Sequence, residues 1–175
     1  YGNIFVKFDV SNQNNQVVHY GGDSGNTKRY RKGMLWFYNN TIVSYRSQNT
    51  TLFRISSNSE SAAAFNNIIF TTSSGSNLAI MGNTGQVDIE NNWINSNFRI
   101  THEGTIEQGA NFTEKNNLEG NEPGFLDDTF KLETKSICKQ SGQSLNDDLN
   151  LIHPLLYHYK KHQTWELKYS EHLNI

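Results

Sequence analysis

The chain has 175 residues, enough for one domain with its own core and too few for two ordinary ones. A formal net charge of −2, with 18% of residues charged, leaves no global basic field to recruit nucleic acid or anionic lipid. Asn, Ser, Thr and Gly are abundant and Pro occurs only 2 times, which favours short strands and tight turns over helices; no apolar run nears the roughly 18 residues of a membrane-spanning helix.

Taken in chain order, the predicted elements repeat. Tyr1-Gly2-Asn3-Ile4-Phe5-Val6 opens the series, with Val17-Val18-His19-Tyr20 as the next strand. A glycine-rich basic loop, Gly21–Gly33, interrupts before Met34-Leu35-Trp36-Phe37-Tyr38. Then Asn39-Asn40-Thr41-Ile42-Val43 restates the opening, and Leu52-Phe53-Arg54-Ile55 follows. Ala62-Ala63-Ala64-Phe65-Asn66-Asn67-Ile68-Ile69-Phe70, Leu78-Ala79-Ile80-Met81 and Gln86-Val87-Asp88-Ile89-Glu90-Asn91-Asn92-Trp93-Ile94 continue the pattern. Phe98-Arg99-Ile100 and Lys115-Asn116-Asn117-Leu118 end it.

The second asparagine of each pair falls at 40, 67, 92 and 117, so the steps are 27, 25 and 25, and the step of 37 from Asn3 to Asn40 contains the Gly21–Gly33 insertion. Three short strands per period fit one turn of a β-solenoid. Asparagine suits the turn because it tolerates left-handed backbone angles. Stacked at about 4.8 Å, successive side-chain amides can bond one another as a ladder.

Paired Asn followed by Thr, Ile or Trp and a β-branched residue resembles the repeat of right-handed parallel β-helix proteins, the pectate-lyase-like superfamily. Glu122-Pro123-Gly124-Phe125-Leu126-Asp127, Phe130-Lys131-Leu132, Ser136-Ile137-Cys138 and Ser141-Gly142 resemble the closing coil of secreted bacterial members. The expected fold is all-β: a single-chain right-handed parallel β-helix of about five coils, three short strands each, over 1–145, with a C-terminal cap or tail over 146–175. Because Tyr1-Gly2-Asn3 begins inside a coil, the expectation is the C-terminal portion of a longer β-helix, or an open N-terminal coil that self-associates. The resemblance implies a protein secreted or held at a bacterial cell surface. It is specific for architecture, since the superfamily includes lyases, hydrolases, epimerases and non-catalytic adhesins.

If Val18, Tyr20, Phe53, Ile55, Leu78, Ile80, Phe98 and Ile100 point inward, the outward column is His19, Arg54, Ala79 and Arg99. The adjoining loop adds Asp23, Lys28, Arg29, Tyr30, Arg31 and Lys32. Cations beside an aromatic suit an anionic polysaccharide, with Tyr20 or Tyr30 stacking on a sugar. By resemblance to β-helix lyases, Arg or Lys serves as base in uronate β-elimination, often with calcium on the carboxylate. The catalytic candidates are His19, Arg54, Lys28 and Arg31; the substrate-binding candidates are Tyr20, Asp23, Arg29, Tyr30 and Arg99. The alternative is a non-catalytic structural or adhesive solenoid that binds a surface, the basic loop being merely solvated.

Asp127-Asp128 and Asp147-Asp148 are the densest carboxylates, and although neither resembles a calcium loop, calcium is the one cofactor left open. His153, His158 and His162 have a spacing that does not converge on zinc. No carboxylate pair for glycoside hydrolysis stands in the outward column. The lone Cys138 reads as a buried thiol, and the sequons at Asn39, Asn49 and Asn111 are expected in so Asn-rich a chain.

Overall fold

The computed structural model describes residues 1–9, 14–161 and 164–167, the final two strands chiefly through their backbone. In chain order the strands are β1 (Ile4–Lys7), β2 (Gln16–Tyr20), β3 (Gly33–Tyr38), β4 (Thr41–Ser44), β5 (Thr50–Ile55), β6 (Glu60–Phe65) and β7 (Ile68–Thr71). They continue as β8 (Leu78–Met81), β9 (Gln86–Glu90), β10 (Trp93–Asn95), β11 (Asn111–Lys115) and β12 (Leu118–Gly120). A short helix, α1 (Asp147–Ile152), and an antiparallel pair, β13 (Tyr157–Lys161) and β14 (Thr164–Leu167), follow.

The first twelve strands wind into three parallel sheets, ordered β1-β4-β7-β10-β12, β2-β5-β8 and β3-β6-β9-β11. Each sheet gains one strand per period, so the chain is an all-β parallel β-solenoid. Residues 98–100 extend the second sheet through the parallel bridge between Ala79 and Arg99. Four three-sided coils are complete, and β12 begins a fifth.

The asparagine pair divides its labour. The first member is the turn residue: Asn39, Asn66, Asn91 and Asn116 have φ of 52°, 56°, 54° and 54°, and Gly2 occupies the same slot at 69°. The second member is the ladder. Asn40 Nδ2 donates to Asn67 Oδ1 at 3.0 Å, Asn67 Nδ2 to Asn92 Oδ1 at 2.9 Å, and Asn92 Nδ2 to Asn117 Oδ1 at 3.1 Å. Each backbone N–H points to the same acceptor, and Asn3 joins the first rung by bonding Asn40. Asn40, Asn67 and Asn92 are buried, so these amides satisfy one another where water cannot.

Inside, like residues stack. Ile42, Ile69 and Ile94 form one row, and Phe37, Ala64 and Ile89 another. In the last coil both rows end on carboxylates: Glu119 is paired with Ile94 and Glu114 with Ile89. Both glutamates are exposed, so the apolar interior gives way to charge where stacking stops.

The segment expected to close the stack lies along its side instead. Phe130-Lys131-Leu132 adds no parallel strand; Leu132 makes an antiparallel bridge to Phe125. Phe125, Phe130, Leu132 and Cys138 pack on Val43, Ile68, Phe70 and Trp93. Those four project outward from the first sheet, opposite to Ile42, Ile69 and Ile94, and they need an apolar cover. Beyond it, Leu145 and Leu149 bury against Tyr38, whose hydroxyl donates to the His153 carbonyl at 3.0 Å. The C-terminal segment thus wraps back along the outside toward the first coils.

Candidate functional site

Among the described residues, grooves lie over two outer faces of the solenoid. The first lies over β2-β5-β8, where sequence reasoning placed the site. Parallel pairing sets His19 beside Arg54, as expected. The column does not continue to Arg99, however. Thr51 pairs with Ala79 and Ala79 with Arg99, so Arg99 stands in a row three residues away from Arg54. Ala79 is fully buried and Ile100 is exposed, contrary to the expected alternation. Consecutive Leu52 and Phe53, and likewise Ile80 and Met81, all belong to the core, so the strict in–out alternation of an ideal strand does not hold on this sheet.

Asp23 organises the remaining candidates. It lies 3.3 Å from His19 Nδ1 and 3.1 Å from the Arg54 guanidinium. His19 Nε2 is 2.8 Å from Ser56 Oγ, which also accepts from Gly22 N at 3.0 Å and donates to the Tyr20 carbonyl at 3.1 Å. Gly21 permits this closure: its φ is 118°, and a Cβ there would lie 2.5 Å from that of Ser56. Tyr30 closes the side of the groove, its hydroxyl accepting from Gly25 N at 3.1 Å and its ring against Gly22. The cavity holds about 540 Å³ and is also lined by Thr101, His102 and Glu103.

Tyr20 is unavailable for stacking on a sugar. It is a core residue whose hydroxyl donates to the Lys32 carbonyl. Lys28 and Arg29 lie on a one-turn 3-10 helix, exposed along with Arg31, and none of the three lines the cavity. Lys32 instead ties the inserted loop to Glu60, which Ser57 also contacts at 2.8 Å. Burial pushes the Glu60 carboxyl up, but the hydrogen bonds from Lys32 and Ser57 together outweigh it and hold the group below its ordinary range.

The second groove, about 1140 Å³, was not anticipated. It runs over the outer face of β3-β6-β9-β11 and is walled by Ser141, Gln143, Leu145 and Asn146. Register aligns Trp36, Ala63, Asp88 and Thr113 across the four strands. Trp36 is 41% exposed, unusual for so large an aromatic, and small Ala63 leaves the floor beside it open. Thr113 Oγ1 donates to Asp88, and Lys115 pairs with Glu90 at 3.1 Å. The alternation in Leu35-Trp36-Phe37, with Leu35 and Phe37 packed on the core, is the signal that turns Trp36 outward.

Among the described residues, no three His, Cys, Asp or Glu side chains gather to hold a metal. Asp127 accepts from Thr129, whose hydrogen bonds hold its carboxyl below the ordinary range, and Asp147 and Asp148 form the first turn of α1. His153 caps that helix, while the side chains of His158 and His162 lie outside the described residues. No helix among the described residues is long and apolar enough to cross a membrane.

Fold and site together define a parallel β-solenoid with grooved outer faces. Compared with known proteins, the chain matches no family, no curated protein and no solved structure.

Proposed function

We propose that this chain is a polysaccharide-binding β-solenoid, exported to act as an adhesive or surface-binding module, with a glycan lying along the groove over β3-β6-β9-β11. The row Trp36, Ala63, Asp88 and Thr113 carries the reading. An exposed indole offers an apolar face to a sugar ring, and the Asp88 carboxylate with the Thr113 oxygen alongside can accept from its hydroxyls. Four strands span roughly 14 Å along the axis, the reach of a few sugar units.

β-Elimination receives less support. Its cations would need to meet a substrate carboxylate, yet His19 and Arg54 both sit against Asp23. Lys28, Arg29 and Arg31 make no ion pair among the described residues, which favours a second reading: Tyr30 and this loop contact an anionic stretch of the polymer.

Affinity electrophoresis against a panel of neutral and uronate polysaccharides tests the proposal. Retardation by at least one neutral polymer is expected, weakened about tenfold in Trp36→Ala, the loss of one stacking contact being worth about 1.4 kcal/mol. Retardation unchanged by Trp36→Ala, or absent throughout the panel, overturns it.

A further inference from the structure

Three side chains on the other face stand in the order of an acyl-transfer relay. Asp23 lies 3.3 Å from His19 Nδ1, and His19 Nε2 lies 2.8 Å from Ser56 Oγ. The carboxylate can fix the imidazole tautomer, leaving the far nitrogen to take the serine proton. The residues come from β2, the inserted loop and the turn after β5. Sheet register joins β2 to β5, and Gly21 and Gly22 bring the loop back onto Ser56. Ser56 and Asp23 both line the 540 Å³ cavity, so a reacting group can reach them.

The geometry points to Ser56 as a nucleophile, with His19 as its general base and Asp23 as the orienting carboxylate, hydrolysing a small acyl ester. In the first half, Ser56 Oγ bonds to the ester carbonyl carbon while its proton passes to His19 Nε2. The carbon–alkoxy bond then breaks, and the leaving alcohol takes that proton. In the second half, His19 removes a proton from water, which attacks the acyl carbon. The carbon–Oγ bond breaks, a carboxylic acid departs and Ser56 recovers its proton.

Ser56 has a competing use as an anchor for the Gly21–Gly22 turn, because its hydroxyl can also donate to the Tyr20 carbonyl. The two roles make different predictions. An anchoring hydroxyl is no more reactive than any serine, whereas the relay makes Ser56 selectively reactive. The polar walls, with Asn83, Thr84 and Glu103, suit an O-acylated sugar. That choice of alcohol rests on the glycan reading above; the nucleophile does not.

The test treats the intact protein with a fluorophosphonate and maps the adduct by mass spectrometry, then follows 4-nitrophenyl acetate hydrolysis. A single adduct on Ser56 is expected, absent after unfolding in urea. Hydrolysis should vanish in Ser56→Ala, drop about 1000-fold in His19→Ala and about tenfold or more in Asp23→Asn. A folded wild-type protein that leaves Ser56 unlabelled overturns the relay, and so does hydrolysis unaffected by Ser56→Ala. The labelling arm uses the wild type alone, so it decides the question even if every variant fails to fold. Acetate release from an O-acetylated polysaccharide is a separate arm: if it fails while Ser56 still labels, the glycan assignment falls and the nucleophile stands.

Discussion

Lys32, at the end of the inserted loop, reaches onto Glu60, a carboxylate whose side chain has no exposed surface. The contact staples the one segment that breaks the period to the body of the solenoid. Because the hydrogen bonds from Lys32 and Ser57 hold Glu60 below its ordinary value of 4.5, folding favours the ionised form. The stabilisation is present above that value and is lost as pH falls through the lower folded-state value. Urea midpoints should therefore decline below about pH 4.5, and the decline should be shallower in Glu60→Gln. Lys32→Met should cost about 2 kcal/mol at neutral pH, discounted for the exposed lysine stem, by stranding a buried charge.

The ladder sets a gradient of sensitivity along the axis. Asn67 Nδ2 donates to Phe37 O, Phe65 O and Asn92 Oδ1, while its own Oδ1 accepts from Asn40. Asn67→Ala leaves several buried partners unsatisfied, and a loss of about 3–4 kcal/mol is expected in urea melts. Asn3→Ala, at the exposed first rung, should cost less than about 1 kcal/mol. Equal losses at both positions would contradict the cooperative burial of the amides.

Glu114 and Glu119 guard the far end of the stack. Replacing both by Ile would extend the apolar rows of Ile89 and Ile94 onto β11 and β12, the last strands of their sheets among the described residues. Light scattering after size exclusion should then report concentration-dependent dimers or larger species that the wild type does not form at the same concentration.

Cys138 lies in the apolar cover over Phe70 and Trp93, and burial pushes its thiol up to about 11 despite a hydrogen bond from Ser136. A disulfide reagent at pH 8 should leave the native thiol unmodified for as long as the fold persists and titrate it fully in concentrated urea. Rapid native labelling would mean that residues 123–138 open readily from the first sheet.

Much of the fold could be read from the asparagines because they do two jobs that few residues can share. A left-handed turn and a stackable amide, side by side, mark each corner, and Gly2 fits the same slot for the same conformational reason. The second sheet was harder. Arg99 looked like Arg54 because Phe98-Arg99-Ile100 mimics Phe53-Arg54-Ile55, but loop length rather than local pattern sets the register. The lateral cover was legible in principle. Ile68-Ile69-Phe70 and Trp93-Ile94 are apolar on both faces, which signals a strand buried from both sides. Ser56 gave no sign, since nothing in the sequence tells how far a loop will fold back onto a turn.

The uniform direction of the amide rungs has a consequence for how such a chain can change its length. A stretch of one full lap can be added or removed and every donor still meets an acceptor. A stretch of a few residues cannot, unless a loop takes up the surplus away from the rungs. The first lap shows the second case: at 37 residues it carries the whole Gly21–Gly33 excursion, yet Asn3 still bonds Asn40 at 3.1 Å. Height along the axis therefore changes in whole steps, while the two grooved faces are free to acquire or lose loops without disturbing the spine.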